Sequence, residues 1–129
     1  MKLNHNCIRD IMLFIEEYSS FRRCFCLNDF LSIDQLSDYN EDTIKYTLAK
    51  LGETNFLNAD SQWANHDLIR FNTNMLTWEG HKFLDTIRDD KVWADTTSIV
   101  SKFSSVSISM VENIASNVIA NIISKQMGS

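Results

Sequence analysis

The sequence predicts a mainly α protein with a small β component, in the α+β class. No proline and only three glycines occur in 129 residues, so helices can run uninterrupted. Apolar residues recur at steps of three and four in several segments, as they do on one face of a helix. Short apolar segments between those stretches are typical of strands.

The first helix is predicted from Cys7 to Tyr18, with a stripe of apolar residues at Ile8, Ile11, Met12 and Ile15. The segment CFCL that follows has the character of one short strand. Ser32 or Asp34 can then cap a short second helix that runs towards Leu36. A helix, a strand and a second helix are therefore expected before residue 40.

A third helix is predicted to begin at Asn40, a good N-cap, with Glu41 and Asp42 favourable in its first turn. Its buried stripe consists of Ile44, Leu48 and Leu51. Asn55 is expected at the exit, because asparagine tolerates the left-handed backbone conformation.

Residues 56–59 (FLNA) and 68–72 (LIRFN) predict two strands, joined by the polar segment 60–67 (DSQWANHD), which has the composition of a loop. The predicted order is helix, strand, helix, helix, strand, loop, strand. This is the order of a winged helix, which is a helix-turn-helix followed by a hairpin. The sequence thus predicts a winged-helix-like domain over residues 1–76 and a C-terminal helical segment over 77–129.

Residues 76–93, LTWEGHKFLDTIRDDKVW, combine tryptophans, a histidine and several charges, and could form either a catalytic site or two helix ends. Thr77 is a plausible N-cap, and Asp89 or Asp90 can cap the next helix. Asp85 and Arg88 are spaced to pair on one helix. Gly80 inside a helix costs roughly 1 kcal/mol relative to alanine, which suggests close backbone packing there. The segment is therefore interpreted as structural, with a buried stripe of Phe83, Leu84 and Ile87.

Two more helices are predicted, one from Val92 to Phe103 and one from a Ser107 cap to about Lys125. The last helix has a broad apolar arc, and Glu112 and three asparagines argue against a membrane span. It must bury that arc against its own domain or against another copy, and the pattern favours neither. The residues that could mediate self-association are Val111, Ala115, Val118 and Ile122.

The segment LTWEGHKFLDTIRDDKVW resembles LTWxGHxFLDxxRDDxxW, the signature of the phage and prophage family called domain of unknown function 2513. NCIRDIMLFIEE and the helix-rich C-terminal tail are also similar to that family. The resemblance implies a winged-helix-like front half in a protein of a virus or mobile element, and implies no activity. Related sequences often have glycine at the exit of the third helix, where this chain has Asn55.

No catalytic, metal or cofactor site is predicted. Cys24 and Cys26 are spaced CxC without a second pair, so with Cys7 they are interpreted as thiols of a reduced cytoplasm rather than zinc ligands. No secretory signal is visible at the N-terminus. His5, His66 and His81 fall in different elements, and no nucleophile elbow or glycine-rich phosphate loop occurs.

The charge pattern argues against nucleic acid as the partner. The formal net charge is −5, and residues 60–67 contain no lysine or arginine. The outward face of the third helix, the candidate recognition surface, consists of Asp42, Tyr46, Ala49, Lys50 and Glu53. Only a small basic patch is conceivable, and it would require grouping of Arg22, Arg23, Lys45 and Lys50.

The sequence therefore predicts a non-enzymatic phage or prophage accessory protein in the cytoplasm of a host bacterium. It is expected to bind a protein partner of the host and to interfere with a host system. The alternative is a winged-helix DNA-binding regulator. A third interpretation is a small-ligand pocket between the two parts of the chain, lined by Trp78 and Trp93.

Overall fold

A computed structural model describes residues 1–128 of the chain. Its described part contains six α-helices and a three-stranded antiparallel sheet, so the predicted mainly α (α+β) class is confirmed. The helices are α1 His5–Tyr18, α2 Leu27–Ser32, α3 Glu41–Gly52, α4 Trp78–Ile87, α5 Asp90–Val100 and α6 Ile108–Gln126. The strands are β1 Phe25–Cys26, β2 Leu57–Ala64 and β3 Asp67–Leu76, and a 3-10 turn spans Asp34–Leu36.

The chain divides into two compact units, Met1–His81 and Lys82–Ser129. In the first unit β3 is the central strand, between β1 and β2. A cluster of aromatic rings fills its core: Phe14 of α1 lies 5.3 Å from Phe25 and 5.7 Å from Phe30, and Phe30 lies 5.9 Å from Phe71, measured between ring centres. The buried stripe of α3 also points into this unit, as predicted.

Most predicted helix ends are confirmed by their hydrogen bonds. The Asn40 side chain accepts from the Thr43 amide at 2.8 Å, as the cap of α3. Thr77 accepts from the Gly80 amide at the start of α4, Asp89 caps α5 and Ser107 caps α6. The segment 76–93 is thus the start of one helix and the junction to the next, as predicted.

The second helix begins earlier than predicted, so neither Ser32 nor Asp34 is its cap. It starts at Leu27, directly after the two-residue β1. The Asp29 carboxylate accepts from the Cys26 amide at 2.8 Å, which satisfies a backbone donor at the helix start. Burial of Phe30 fixes this helix against the aromatic cluster.

The predicted loop 60–67 is wrong, because the strands continue through it. β2 runs to Ala64 and β3 begins at Asp67, so the connection is only Asn65 and His66. Both have positive φ, 52° and 64°, as a type I′ hairpin turn requires. Polar residues misled the prediction, since every residue from 60 to 67 is exposed in the hairpin.

Two smaller predictions are also wrong. Asn55 does not adopt the left-handed conformation; α3 ends at Gly52, and Glu53 and Thr54 close the exit with backbone hydrogen bonds to Lys50 and Leu51. Phe103 lies beyond the end of α5 and is 61% exposed, because α5 stops at Val100.

In the second unit, α5 packs against α6. The predicted stripe of α4 is buried, and Leu84 and Ile87 are fully so. From α5, Val92 and Trp93 are also buried.

Candidate interaction surfaces

The outer face of α3 carries the five residues predicted as a recognition surface. Asp42 and Glu53 are exposed, and Tyr46, Ala49 and Lys50 are partly exposed. The Lys50 ammonium lies 3.1 Å from the Glu53 carboxylate and 5.6 Å from the centre of the Tyr46 ring. Its hydrogen bond to Glu53 raises the pKa of Lys50. The cation of this face is therefore already engaged by an acid of the same face.

The second lysine of α3 connects the helix to the hairpin. The Lys45 ammonium lies 3.1 Å from the Asp67 carboxylate at the start of β3 and 3.4 Å from Glu41. The hydrogen bond to Asp67 is the main cause of the raised pKa of Lys45. Two carboxylates thus surround one ammonium, so this edge carries more negative than positive charge.

The four basic residues of the conceivable patch lie in two different elements. Lys45 and Lys50 are paired with carboxylates, whereas Arg22 and Arg23 lie in the turn between α1 and β1. The Arg23 guanidinium stacks 4.5 Å from the centre of the Phe25 ring. The arginines therefore belong to a different element from the candidate recognition helix.

The hairpin exposes two large apolar side chains that the sequence analysis missed. Trp63 is 59% exposed and Ile69 is 54% exposed. Gln62 pairs with Arg70 and Trp63 pairs with Leu68, so Ile69 is an extra residue without a partner in the register. The assignment of residues 60–67 to a loop hid this arrangement, although a tryptophan in a polar segment was a usable signal. We call these two residues, together with the outer face of α3, the α3–hairpin surface.

The four residues predicted for self-association separate into two pairs. Val111 and Ala115 are completely buried within the chain, which leaves them out of reach of another copy in this fold. Val118 and Ile122 are partly exposed and line a cleft beside α5. The structure therefore brings only half of the predicted set to the surface.

Two clefts lie along the pair formed by α5 and α6, and they share Ile99. One, of about 370 Å³, is lined by Lys91, Asp95, Ser98, Ile99, Val118, Asn121, Ile122 and Lys125. The other, of about 450 Å³, is lined by Ile99, Phe103, Ser105, Val106, Ser107, Met110 and Ile114. No tryptophan lines either cleft: Trp78 is 83% exposed, and Trp93 is buried at 7% exposure.

The reactive side chains are spread over several elements. Cys7 is buried, and burial raises the pKa of its thiol, whereas Cys24 and Cys26 are exposed. His81 Nδ1 lies 3.5 Å from a carboxylate oxygen of Glu16. Within residues 1–128, no three histidine, cysteine or acidic side chains are grouped as metal ligands.

Comparison with known proteins identifies the family. A family model described as "Hypothetical protein (DUF2513)" matches residues 2–107. The chain belongs to the DUF2513 family. It is also 28% identical over 124 residues to an uncharacterized protein of Haemophilus influenzae, covering 95% of this chain and 99% of that protein. No solved structure was found to match it.

The matched part of this DUF2513 protein contains the whole α3–hairpin surface and ends at Ser107, the cap of α6. The Haemophilus relative matches almost the full chain, so its similarity is not confined to that part. None of the helices described combines the length and hydropathy needed to cross a bilayer.

Proposed function

We propose that this DUF2513 protein acts by binding another protein through the α3–hairpin surface, and that it catalyses no reaction. The partner would be a host protein whose activity the complex alters. This follows the setting that the resemblance implies, a protein encoded by a phage or a mobile element.

An exposed tryptophan on a hairpin that an ion pair joins to the acidic helix α3 is the observation that carries this proposal. Tryptophan is enriched among the residues that dominate binding energy in protein interfaces. Trp63 and Ile69 offer such an anchor on the hairpin that Lys45 connects to α3. Asp42 and Glu53 on the same surface favour a partner with basic side chains around an apolar pocket.

A capture experiment with matched variants tests the proposal. Tagged protein is used to capture partners from host cells, and the captured proteins are quantified by mass spectrometry. Trp63→Ala is expected to lower recovery of a specific partner at least about tenfold, the scale of a hot-spot residue. Trp78→Ala, which removes a tryptophan of even greater exposure on α4, is the control and should leave recovery unchanged.

Charge reversal gives a second measurement, on the partner once it is purified. Asp42→Lys and Glu53→Lys should each slow association, because they remove attraction to basic groups. A partner that binds the Trp63→Ala variant as tightly as the natural chain would contradict the proposed surface.

The order of elements favours a second candidate, a winged-helix DNA-binding regulator. The first unit has the order α1-β1-α2-α3-β2-β3, and β3 lies between β1 and β2 in the sheet. This order supports a helix-turn-helix with α3 in the recognition position. The paired lysines of α3 oppose it, since phosphate contacts require available cations.

Binding to random-sequence duplex at low salt separates the two candidates. The protein-binding proposal expects no measurable binding by fluorescence anisotropy, and expects Asp42→Lys with Glu53→Lys to increase duplex binding. Tight binding by the natural chain that weakens steeply with salt would replace our first proposal with the second.

A further inference from the structure

We propose that the open face of the α5–α6 pair docks on the same face of a second copy, to form a twofold four-helix bundle. The face consists of the two adjoining clefts that share Ile99, and we call it the α5–α6 face. This interface is separate from the α3–hairpin surface and does not depend on the proposed function.

The packing of α6 is incomplete within one chain. α6 has 19 residues, and only Val111 and Ala115 are fully buried. Glu112 and Lys125 are its charged side chains, which is few for a helix exposed to water. On the α5–α6 face, Phe103 is 61% exposed and Met110 is 50% exposed. Apolar side chains therefore remain in contact with water along the pair.

The size of this face fits a second helix pair. At about 1.5 Å per residue, α6 is about 28 Å long and α5 about 16 Å long. Two packed helices present a face about 18–20 Å wide, which gives roughly 400 Å² in projection and more in accessible area. A specific interface requires about 500 Å² from each partner at minimum. A small ligand would fill only one of the two clefts, whereas a second pair covers both.

The order of the lining residues along the two helices defines the geometry of the dimer. Lys91 and Asp95 of α5 share one cleft with Ile122 and Lys125 near the end of α6, Phe103 shares the other with Ile114, and Ile99 lies at the junction. A twofold axis parallel to the helices places α5 against α6 of the other copy at the same level. Apolar residues then meet apolar residues, and all neighbouring helices are antiparallel, as in up-down-up-down bundles.

The charged side chains of the face suit the same arrangement. Lys91 and Asp95 on α5 and Lys125 on α6 line its polar end. Under this twofold axis the polar ends of the two copies meet, and Asp95 of each copy lies within about one helical turn of Lys125 of the other, so this ion pair can form twice. A twofold axis perpendicular to the helices would instead place these charges over the apolar end of the other copy and leave them without partners.

Sedimentation velocity of the full chain tests the proposal at micromolar concentrations. The natural chain should be a dimer. Phe103→Glu should raise the dissociation constant at least about 100-fold, because each dimer buries two introduced charges. Ile123→Glu is the matched control: Ile123 is 52% exposed on α6 but lines neither cleft, so this variant should remain dimeric. Circular dichroism establishes that both variants are folded.

A charge exchange tests the direction of the axis. Asp95→Lys alone should weaken the dimer about tenfold or more, because it removes the carboxylate from the end of the face where Lys91 and Lys125 of the two copies meet. Adding Lys125→Asp should restore the dimer. Four results would each overturn the proposed bundle. The natural chain could be monomeric, or Phe103→Glu could remain dimeric. Ile123→Glu could dissociate the dimer, or the double exchange could fail to restore it. A monomer would assign the face to a different protein or to an apolar ligand.

Discussion

Single residues decide where the backbones of this chain can approach one another. Gly80 is the clearest case, because a Cβ at this position would overlap the carbonyl oxygen of Phe56. The Phe56 carbonyl also accepts from the Thr77 amide at 3.0 Å, just before α4. The cost of glycine in the helix is therefore offset by close packing of backbone on backbone, as the sequence analysis expected.

Substitution of the two helical glycines should have opposite effects. Gly80→Ala should lower the free energy of unfolding by about 1–3 kcal/mol, because the carbonyl of Phe56 must move. Gly52→Ala is the control: an added Cβ there would have its nearest neighbours at 3.5 Å, an ordinary contact. That variant should be neutral or more stable by about 0.4–1 kcal/mol. Urea unfolding measures the free energy of unfolding of both variants. A Gly80→Ala protein as stable as the natural chain would contradict the packing described.

The three cysteines should differ in reactivity in the folded protein. Cys7 is fully buried, and burial raises its thiol pKa, so the reactive thiolate is disfavoured. Cys24 and Cys26 are exposed. Brief alkylation followed by mass spectrometry should therefore modify those two and leave Cys7 intact, whereas denaturant should expose all three. Rapid modification of Cys7 in the native chain would show that the first helix opens.

Tyr39 should make stability fall at high pH. Its hydroxyl donates to Asp10 at 2.7 Å, and burial together with that carboxylate raises the tyrosine pKa. The unfolded chain loses this proton near pH 10 while the folded chain retains it, so stability is present below pH 10 and declines above it. Tyr39→Phe should be less stable at neutral pH by about 1 kcal/mol, and its free energy of unfolding should fall less above pH 10 than that of the natural chain. Urea midpoints from pH 7 to 11 measure both effects.

At the scale of elements, hydrogen-bonded ends and short connections define the helices and the sheet. Asn40, Thr77, Asp89 and Ser107 begin four helices, and each was recognisable from its residue type and position. The β2–β3 connection was not recognised, because Asn65 and His66 are not the usual Asn-Gly pair of a two-residue turn. The register of the flanking strands holds both residues at positive φ.

The hairpin turn should be improved by glycine. His66 has φ 64°, a conformation that costs a residue with a Cβ about 1 kcal/mol relative to glycine. His66→Gly should therefore raise the free energy of unfolding by up to about that amount. His66→Val is the control and should be destabilising, since β-branched residues are poorly accommodated at positive φ. Equal stability of the two variants would mean that the turn is not constrained as described.

At the scale of the whole molecule, the chain has two compact units with different surface chemistry. The first has its aromatic core, its central β3 and the acidic α3–hairpin surface. The second carries the partly apolar α5–α6 face. Its four candidate self-association residues illustrate a limit of helical pattern: the apolar arc was visible, but only packing shows that Val111 and Ala115 are buried within one chain.

If two copies associate as proposed, stability should depend on protein concentration. The thermal midpoint of the natural chain should rise with concentration, because association stabilises the folded form by mass action. The midpoint of Phe103→Glu should stay constant over the same range. Differential scanning calorimetry measures both, and equal concentration dependence of the two proteins would contradict an interface at Phe103.

The sequence by itself determined the class, four of the helix caps and the buried stripes of α1, α3 and α4, because those depend on residue type and on spacing between residues close in the chain. It also showed a formal net charge of −5, on which the expectation against a nucleic-acid partner rests. Only the tertiary structure decided that Lys45 pairs with Asp67, that Trp63 and Ile69 lie exposed on a hairpin, and that the α5–α6 face stays open. Those features depend on strand register and helix packing between distant residues, which local periodicity does not encode.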